Sequence, residues 1–239
     1  MKQIESLMQQ LRLNGMRDHW KALLETRQAH ELSFSDGLEL LLQSEKEAKD
    51  LSRLNRLVGT AHFRYKAFIE ELKYDGARGL NKDQITQLAT GDYLNNGESV
   101  LITGATGCGK SFLATALGHH CCAQGKRVLY FNIQKLFIKM KLARAEGTII
   151  KLFEKIAKTD LIILDDFGLK KLENQQQQDF MELIEDRHAR RSTIITSQLP
   201  VANWYDVIGE ETIADAILDR LVHTSHRIEL KGESLRKIN

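Results

Sequence analysis

The sequence predicts an α/β fold in which a parallel sheet with crossover helices follows a smaller all-helical region. From residue 99 onward, apolar and β-branched runs alternate with helix-spaced segments, as in strand–helix–strand units. The first of these runs leads directly into a glycine-rich turn and the start of a helix. Residues 1–60 show only the three- to four-residue apolar spacing of helices.

The composition is that of an ordinary globular protein. The chain has 239 residues, 42% hydrophobic and 28% charged, which suits one large domain or two smaller ones. A net charge of +2 gives no overall attraction to nucleic acid, so any basic surface must be local. No apolar run reaches the ~18 residues of a membrane span, and the first residues lack a secretory apolar core. With three cysteines and no disulfide framework, we expect a cytoplasmic protein without membrane contact.

The amino-terminal region is predicted to form amphipathic helices. Ser35 is a candidate N-cap of a long helix. The predicted buried residues are Ile4, Leu7, Met8, Leu11, Met16, Trp20, Leu23, Leu24, Leu38, Leu41, Leu42, Leu51 and Leu54. Packing within the chain is favoured over a partner-binding face. Arg53, Arg56, Arg64 and Lys66 are predicted to be solvated, with phosphate contact as the alternative.

A turn-rich joint at 74–79 and a looser pattern around it separate the helical region from the rest. Asn81 can cap a short helix, with Gln84 at the capping-box position. We place the domain boundary near residue 65. The prediction is a helical domain at 1–65 and an α/β domain at 66–239.

Five strands and their connecting helices follow in order. The predicted strands are 100–103, 127–131, 161–164, 193–196 and 227–230. The helix after the first strand runs to about Gln124, with Gly125 beyond its end. One or two helices fill 134–158, broken near 147–148. Further helices begin at Asn174 and at Thr212.

The glycine-rich turn fits G-x-x-x-x-G-K-[ST], the phosphate-binding loop. Glycines let backbone N–H groups surround an anion, and the following helix adds its positive end. Lys110 can reach the β- and γ-phosphates of ATP, and the Ser111 hydroxyl can ligate Mg²⁺. The predicted nucleotide-binding residues here are Gly104, Ala105, Thr106, Gly107, Cys108, Gly109, Lys110, Ser111 and Phe112.

Two acids end the third strand, about 55 residues after the loop. Ligands collect at the carboxyl ends of parallel strands, so Asp165 should lie beside Ser111 and hold Mg²⁺. Asp166 should face the γ-phosphate and orient or deprotonate the attacking water. A polar turn is the alternative, but the spacing favours a Walker B pair.

Two further positions are candidates for the same chemistry. Ser197 and Gln198, at the end of the fourth strand, can touch the γ-phosphate or the water, although such residues are usually turn formers. Arg220 lies among apolar helix residues. It either pairs locally with Asp215, Asp219 or another acid, or acts as an arginine finger on a neighbouring subunit's γ-phosphate.

Several motifs occur in a fixed order: the loop at 104–111, Leu-Asp-Asp-Phe-Gly at 164–168, Arg-Arg-Ser-Thr-Ile-Ile-Thr-Ser-Gln at 190–198, and Ala-Ile-Leu-Asp-Arg-Leu-Val-His at 216–223. With Leu-Arg-Leu-Asn-Gly-Met at 11–16 and Gly-Glu-Ser-Leu-Arg at 232–236, they resemble the IstB-like ATP-binding proteins. These are helper ATPases of bacterial insertion-sequence transposition, related to DnaC-type helicase loaders in the AAA+ class. The resemblance spans essentially the whole chain.

The resemblance implies a helical domain before an AAA+ ATPase domain, ATP-dependent self-assembly into a ring or helix on DNA, and cooperation with a transposase. It makes Gly104–Ser111 Walker A, Asp165 and Asp166 Walker B, and Ser197 with Gln198 sensor I. By the same resemblance, Arg220 is the finger and Arg236 a sensor II residue.

The sequence departs from the pattern at three positions. Asp166 stands where most AAA+ proteins have Glu, which implies slow hydrolysis. Gln198 stands where the family often has Asn, and that puts its phosphate contact in doubt. Cys108 is an unusual loop residue whose thiol we interpret as incidental.

The segment 134–158 is locally basic, with seven basic and two acidic residues and a net charge of +5. The residues alone leave a solvated face and a phosphate-binding face equally open. The resemblance favours DNA contact, because the corresponding helices of DnaC-like proteins touch DNA. The predicted contacts are Lys135, Lys139, Lys141, Arg144, Lys151 and Lys155.

The resulting hypothesis is an ATPase that assembles on double-stranded DNA and helps a transposase select or engage its target. No helix-turn-helix or zinc spacing is present, so strong sequence preference is not expected. A DnaC-type helicase loader would share the ATPase domain but capture another partner. A small-molecule kinase would need an acceptor pocket and an arginine-bearing lid. A DNA scaffold that binds ATP without turnover is the third alternative, separable by measured hydrolysis.

Overall fold

The computed structural model describes residues 2–26, 28 and 32–235. The chain divides into two compact units, Met1–Arg56 and Leu57–Asn239. The domain boundary expected near residue 65 stays a prediction. The helices are α1 (Lys2–Gln10), α2 (Asn14–Glu25), α3 (Phe34–Ala61), α4 (Lys82–Thr90), α5 (Asp92–Asn96), α6 (Lys110–Ala123), α7 (Ile133–Ala145), α8 (Ile149–Ala157), α9 (Asn174–Arg187), α10 (Trp204–Ile208) and α11 (Glu211–Val222). The strands are β1 (Ser99–Gly104), β2 (Val128–Asn132), β3 (Leu161–Phe167), β4 (Ser192–Ser197) and β5 (Ser225–Leu230).

The first unit packs α1, α2 and the first part of α3 around a small apolar core. Met16 and Leu23 of α2 are buried with Leu41 of α3. Glu45, one turn after Leu41, is also buried and accepts a hydrogen bond from the Met16 backbone N–H at 3.1 Å. That bond satisfies one of the donors left free at the start of α2, where Leu13 offers no side-chain cap.

The prediction that the amino-terminal apolar stripes pack within the chain is correct for only part of each stripe. In the first unit, the buried face of α3 contains Leu41 and Glu45, whereas leucines on neighbouring faces of the helix stay in solvent. Helix α3 also starts earlier than predicted, because Ser33 rather than Ser35 accepts the cap bond, from the Asp36 N–H at 3.2 Å. The predicted core residues that are exposed are Ile4, Leu7, Leu11, Leu38, Leu42 and Leu51.

The second unit contains one five-stranded sheet of order β2-β3-β4-β1-β5. All its strand pairs are parallel. Residues 100–102, 161–165 and 193–197 of the three inner strands are buried, as their continuous apolar and β-branched runs predict. The predicted α/β fold with a parallel sheet is confirmed, and the carboxyl ends of all five strands meet at one edge.

The connecting helices also follow the sequence signals. Gly147, with a φ of 68°, separates α7 from α8, and Gly125, with a φ of 78°, follows α6. Asn81 caps α4 by accepting from the Asp83 N–H at 2.8 Å. Gln84 does not close the predicted capping box; its amide donates instead to the Arg227 carbonyl of β5, at 3.0 Å.

In the described ranges, no helix is both long and apolar enough to cross a membrane.

Candidate nucleotide-binding site

The turn between β1 and α6 requires glycine for steric reasons. Gly104 has a φ of 143°, and a Cβ there would lie 2.1 Å from the Leu230 carbonyl oxygen. Gly107 and Gly109, with φ of 82° and 103°, also adopt conformations that L side chains rarely reach. The turn leads into a 14-residue helix whose amino terminus attracts anions.

Lys110, the first residue of α6, points into this turn. Its side chain is buried, and Nζ donates to the carbonyl oxygens of Gly104 at 2.7 Å and Ala105 at 2.8 Å. The ammonium group is therefore held inside the loop, where an anion bound by the loop would meet it.

The two acids at the end of β3 lie beside this loop because the strand is irregular there. Adjacent residues of a regular strand point to opposite faces. Here the β3–β4 register shifts between Leu164 and Phe167, and Asp166 has a φ of 63°. Such a bulge re-aims a side chain, and it lets Asp165 and Asp166 serve one site.

Asp165 is completely buried, and three hydroxyl groups donate to its carboxylate. Ser111 Oγ donates to Oδ1 at 2.8 Å, Thr196 Oγ1 also donates to Oδ1, and the Tyr130 hydroxyl donates to Oδ2. Burial, and next the bond to Asp165, raises the pKa of Tyr130 above its usual value, so the phenol stays a donor. Thr196 also accepts from the Asp166 N–H at 3.1 Å and so links the two acids to β4.

Asp166 is less buried and faces several polar groups. Asn132, the last residue of β2, donates to Oδ2 at 3.0 Å, and the Arg64 guanidinium lies 3.9 Å from the same oxygen. Burial, and then the charge of Asp165, raises the pKa of Asp166, while Arg64, Asn132 and Lys110 lower it. The carboxylate can thus accept a proton, and fixed donors hold it in place.

A cavity of about 340 Å³ joins the loop to Asp166. Its lining is formed by Tyr65, Thr106, Gly107, Gly109, Lys110, Ser111, Phe112, Asp166, Gln198 and Leu235. Thr106 Oγ1 donates to Gln198 Oε1 at 2.8 Å, so the end of β4 contacts the loop directly. The structure therefore brings Gln198 to the same cavity as Lys110 and Asp166.

Ser197 is placed differently. Its buried hydroxyl donates to the Phe167 carbonyl at 2.8 Å and accepts from the Leu199 N–H at 3.1 Å. These bonds hold the ends of β3 and β4 together. The predicted phosphate contact of Ser197 receives no support from this placement, and Gln198 is the better candidate.

The carboxyl-terminal segment lies against the loop. The Leu235 N–H donates to the Gly107 carbonyl at 2.9 Å. Arg236, the predicted sensor II residue, lies outside the described residues.

A second, more apolar cavity of about 500 Å³ adjoins the first and shares Gly109, Phe112 and Leu235 with it. Its other walls include Leu72, Leu80, Cys108, Leu113 and Leu230. The Cys108 thiol is buried and donates to the Ala105 carbonyl at 2.9 Å.

Arg220 lies near Ser99, at the amino-terminal end of β1, whereas the loop follows the carboxyl end of that strand. Its Nε lies 2.5 Å from Glu185 Oε2, and Nη1 donates to the Ala216 carbonyl at 2.9 Å. The local ion pair considered from the sequence is thus present, with Glu185 rather than Asp215 or Asp219. Arg220 is not placed to reach its own chain's loop, and its action on a neighbouring subunit stays a prediction.

Helices α7 and α8 display most of the predicted basic residues in solvent. Arg144 differs, because its guanidinium forms an ion pair with the buried Asp179 of α9. Ile138 and Leu142 are exposed on α7, so the surface is mixed basic and apolar. The exposed lysines of the predicted DNA-binding set are Lys135, Lys139, Lys141, Lys151 and Lys155.

The residues near the loop suit Mg²⁺ bound together with phosphates. No cluster of three or more His, Cys, Asp or Glu side chains with metal-ligand geometry occurs among the described residues. Mg²⁺ commonly takes only one or two protein oxygens and completes its shell with phosphate and water. Ser111 Oγ and Asp165 Oδ1, 2.8 Å apart, provide two such oxygens.

Sequence reasoning missed several residues of this site. Tyr130, Asn132 and Thr196 lie at or near the carboxyl ends of strands, and that position was the signal that could have identified them. Arg64 and Tyr65 come from an irregular segment before the α/β region, and no sequence pattern relates them to the loop.

The phosphate-loop geometry, the acid pair and the parallel sheet define a P-loop nucleotide-binding α/β domain. The model of the IstB-like ATP binding protein family matches residues 6–239, and the chain belongs to this family. It is 42% identical over 225 residues to the insertion sequence ATP-binding protein y4pL of Sinorhizobium fredii, covering 94% of this chain and 92% of that protein.

Solved structures show the same fold. The DnaC helicase loader matches 74% of this chain and 99% of its own, with a TM-score of 0.57 and 21% identity. AMPPCP-bound DnaA from Aquifex aeolicus matches 73% of this chain and 53% of its own, with a TM-score of 0.59 and 19% identity.

Proposed function

We propose that this protein is a Mg²⁺-dependent ATPase that assembles on double-stranded DNA and helps a transposase engage its target. The observation that carries the proposal is a cavity lined by Lys110, Ser111 and Asp166, in a chain of the insertion-sequence ATP-binding family. The buried Asp165 lies behind Ser111 and accepts its hydrogen bond. A helicase loader would use the same ATPase domain, and the partner it captures would distinguish it.

Each group at the cavity has a proposed role. Lys110 binds the β- and γ-phosphates, and Ser111 with Asp165 holds Mg²⁺, which neutralises phosphate charge when bound. Asp166 orients the attacking water and accepts its proton. Gln198, fixed by Thr106, contacts the γ-phosphate side of the cavity.

We assign the nucleotide base to the second, apolar cavity. It adjoins the phosphate-binding cavity through Gly109 and Phe112, so one ligand can occupy both. Apolar walls with a few polar groups are typical of small-molecule sites.

The direct test measures ATP turnover by the purified full-length protein with and without duplex DNA, followed by co-purification with the transposase of its own insertion sequence. Stimulated turnover and transposase capture support the proposal. ATP binding without turnover would indicate a scaffold, and capture of a replicative helicase instead would indicate a loader.

Asp166→Asn is expected to retain ATP binding and to lose turnover about 100-fold or more, because Asn cannot accept the proton. The substitution suits the backbone, since Asn tolerates a φ of 63° better than most residues. It also removes a partly buried charge beside Asp165, so the thermal midpoint should not fall. Turnover, nucleotide affinity and thermal unfolding are compared with wild type; normal turnover would exclude Asp166 as the catalytic carboxylate.

Replacing Lys135, Lys139 and Lys141 with Glu is expected to weaken binding to all duplex sequences alike. Each lost phosphate contact should flatten the slope of log affinity against log salt by about 0.9. Arg144 is left intact, because without it the buried carboxylate of Asp179 would lose its cationic partner. The readout is a fluorescence-anisotropy salt series with ATP present.

The matched control places the same charge change on exposed lysines elsewhere, at Lys82, Lys170 and Lys171. Equal loss of affinity in both triple variants would show a general charge effect rather than a binding surface on α7.

A further inference from the structure

The segment that follows α3 is anchored to the phosphate-loop helix. His62, with a φ of 58°, turns the chain at the end of α3. Phe63 then stacks on His119 of α6 with ring centroids 5.0 Å apart, and Phe68 meets the same ring edge-on at 4.9 Å. A Cβ at Gly118 would lie 2.7 Å from the Phe63 ring, so α6 admits this aromatic ring only because residue 118 is glycine.

Between these two aromatic anchors, the segment faces the nucleotide cavity. Tyr65 lines the same cavity as Lys110 and Ser111. The Arg64 guanidinium carbon lies 5.3 Å from the centre of the Tyr65 ring, a cation–π distance that orients the charge. Arg64 Nη1 then lies 3.9 Å from Asp166 Oδ2.

The Asp166 carboxylate needs such support. It lies in a bulge, and among the described residues its one side-chain hydrogen-bond donor is Asn132, which contacts the same Oδ2 at 3.0 Å. The negative Asp165 lies next to it in the chain. The Arg64 cation offsets the charge of Asp165 and fixes the direction in which the Asp166 carboxylate points.

We propose that Arg64 is a positioning residue for Asp166, supplied in cis by the segment between Phe63 and Phe68. Arg64 holds the carboxylate toward the water that attacks the γ-phosphate, and Tyr65 fixes Arg64. The inference rests on the proposed ATPase function and adds to it a residue from outside the P-loop motifs.

The test compares Arg64→Gln, Arg64→Lys and wild type in steady-state ATP turnover by the full-length protein. Arg64→Gln should lower kcat between about tenfold and 100-fold, since displacing a reacting group by about 1 Å costs on the order of 100-fold. ATP affinity should change less than about twofold, because Lys110 and the loop bind the phosphates. Arg64→Lys, which keeps the charge, should recover part of kcat.

Arg127→Gln is the matched control. It removes another exposed arginine at 3.9 Å from a carboxylate, that of Asp160, far from the cavity. Exposed ion pairs contribute little to stability, so both Gln variants should unfold near the wild-type temperature. Only the Arg64 variant should lose turnover.

A double-mutant cycle with Asp166→Asn separates positioning from structure. If Arg64 acts through Asp166, Arg64→Gln adds no further loss in the Asp166→Asn background. Additive losses, an unchanged kcat in Arg64→Gln, or equal loss in Arg127→Gln would each overturn the inference. Absence of turnover in wild type would instead refute the ATPase proposal itself.

Discussion

Lys110→Ala is expected to abolish tight ATP binding. The ammonium group is held in the loop by the Gly104 and Ala105 carbonyls, where the β- and γ-phosphates would be bound. A hydrogen bond to a charged group contributes about 1.5–3 kcal/mol. Losing one such bond to each of the two phosphates therefore weakens ATP affinity by about 100-fold or more. Isothermal titration with Mg·ATP measures the change.

The loop carbonyls lose their donor in this variant, so thermal unfolding must be recorded alongside binding. Lys126→Ala is the control, because Lys126 lies just beyond the far end of the same helix. Wild-type ATP affinity in a folded Lys110→Ala protein would remove the phosphate-loop interpretation and, with it, the proposed ATPase function.

The three inner strands were predictable because they are continuous apolar and β-branched runs that are buried on both faces. Residues 161–165 are buried on both faces of the sheet, so their burial follows directly from the continuous run of the sequence. Helix α3 shows the opposite case. Its leucines recur often enough to suggest several stripes, but only the stripe with Leu41 meets α2, and spacing alone cannot tell which stripe is covered.

The candidate site was predictable where chemistry is tied to one short motif. Lys110, Ser111 and Asp165 converge because strand ends of a parallel sheet share an edge. The bulge at Asp166 and the approach of Arg64 depend on tertiary packing. The contact of Phe63 with Gly118 and His119 brings Arg64 to the site, and those residues are more than 50 positions apart.

Arg220→Ala is expected to bind ATP normally and to lose turnover about 1000-fold, the scale of a lost arginine finger. Arg220 lies near Ser99, at the end of β1 that is farthest from the loop. Action on a neighbouring subunit is therefore the catalytic role open to it. Mixing Arg220→Ala with Lys110→Ala should therefore restore some turnover, because an intact loop can meet an intact arginine across one interface.

The ion pair with Glu185 provides the decisive control. If Arg220 only stabilises the fold, Glu185→Gln removes the same pair and should reduce turnover and thermal stability as much as Arg220→Ala does. If Arg220 is a finger, Glu185→Gln keeps the arginine and most of the turnover. Turnover of the single variants and of mixtures at several ratios, with co-assembly verified by light scattering, separates the two roles. Equal losses in the two single variants and no recovery in any mixture would establish Arg220 as a structural residue, whereas recovery confined to the Arg220→Ala and Lys110→Ala mixture would place its charge at the neighbouring subunit's γ-phosphate.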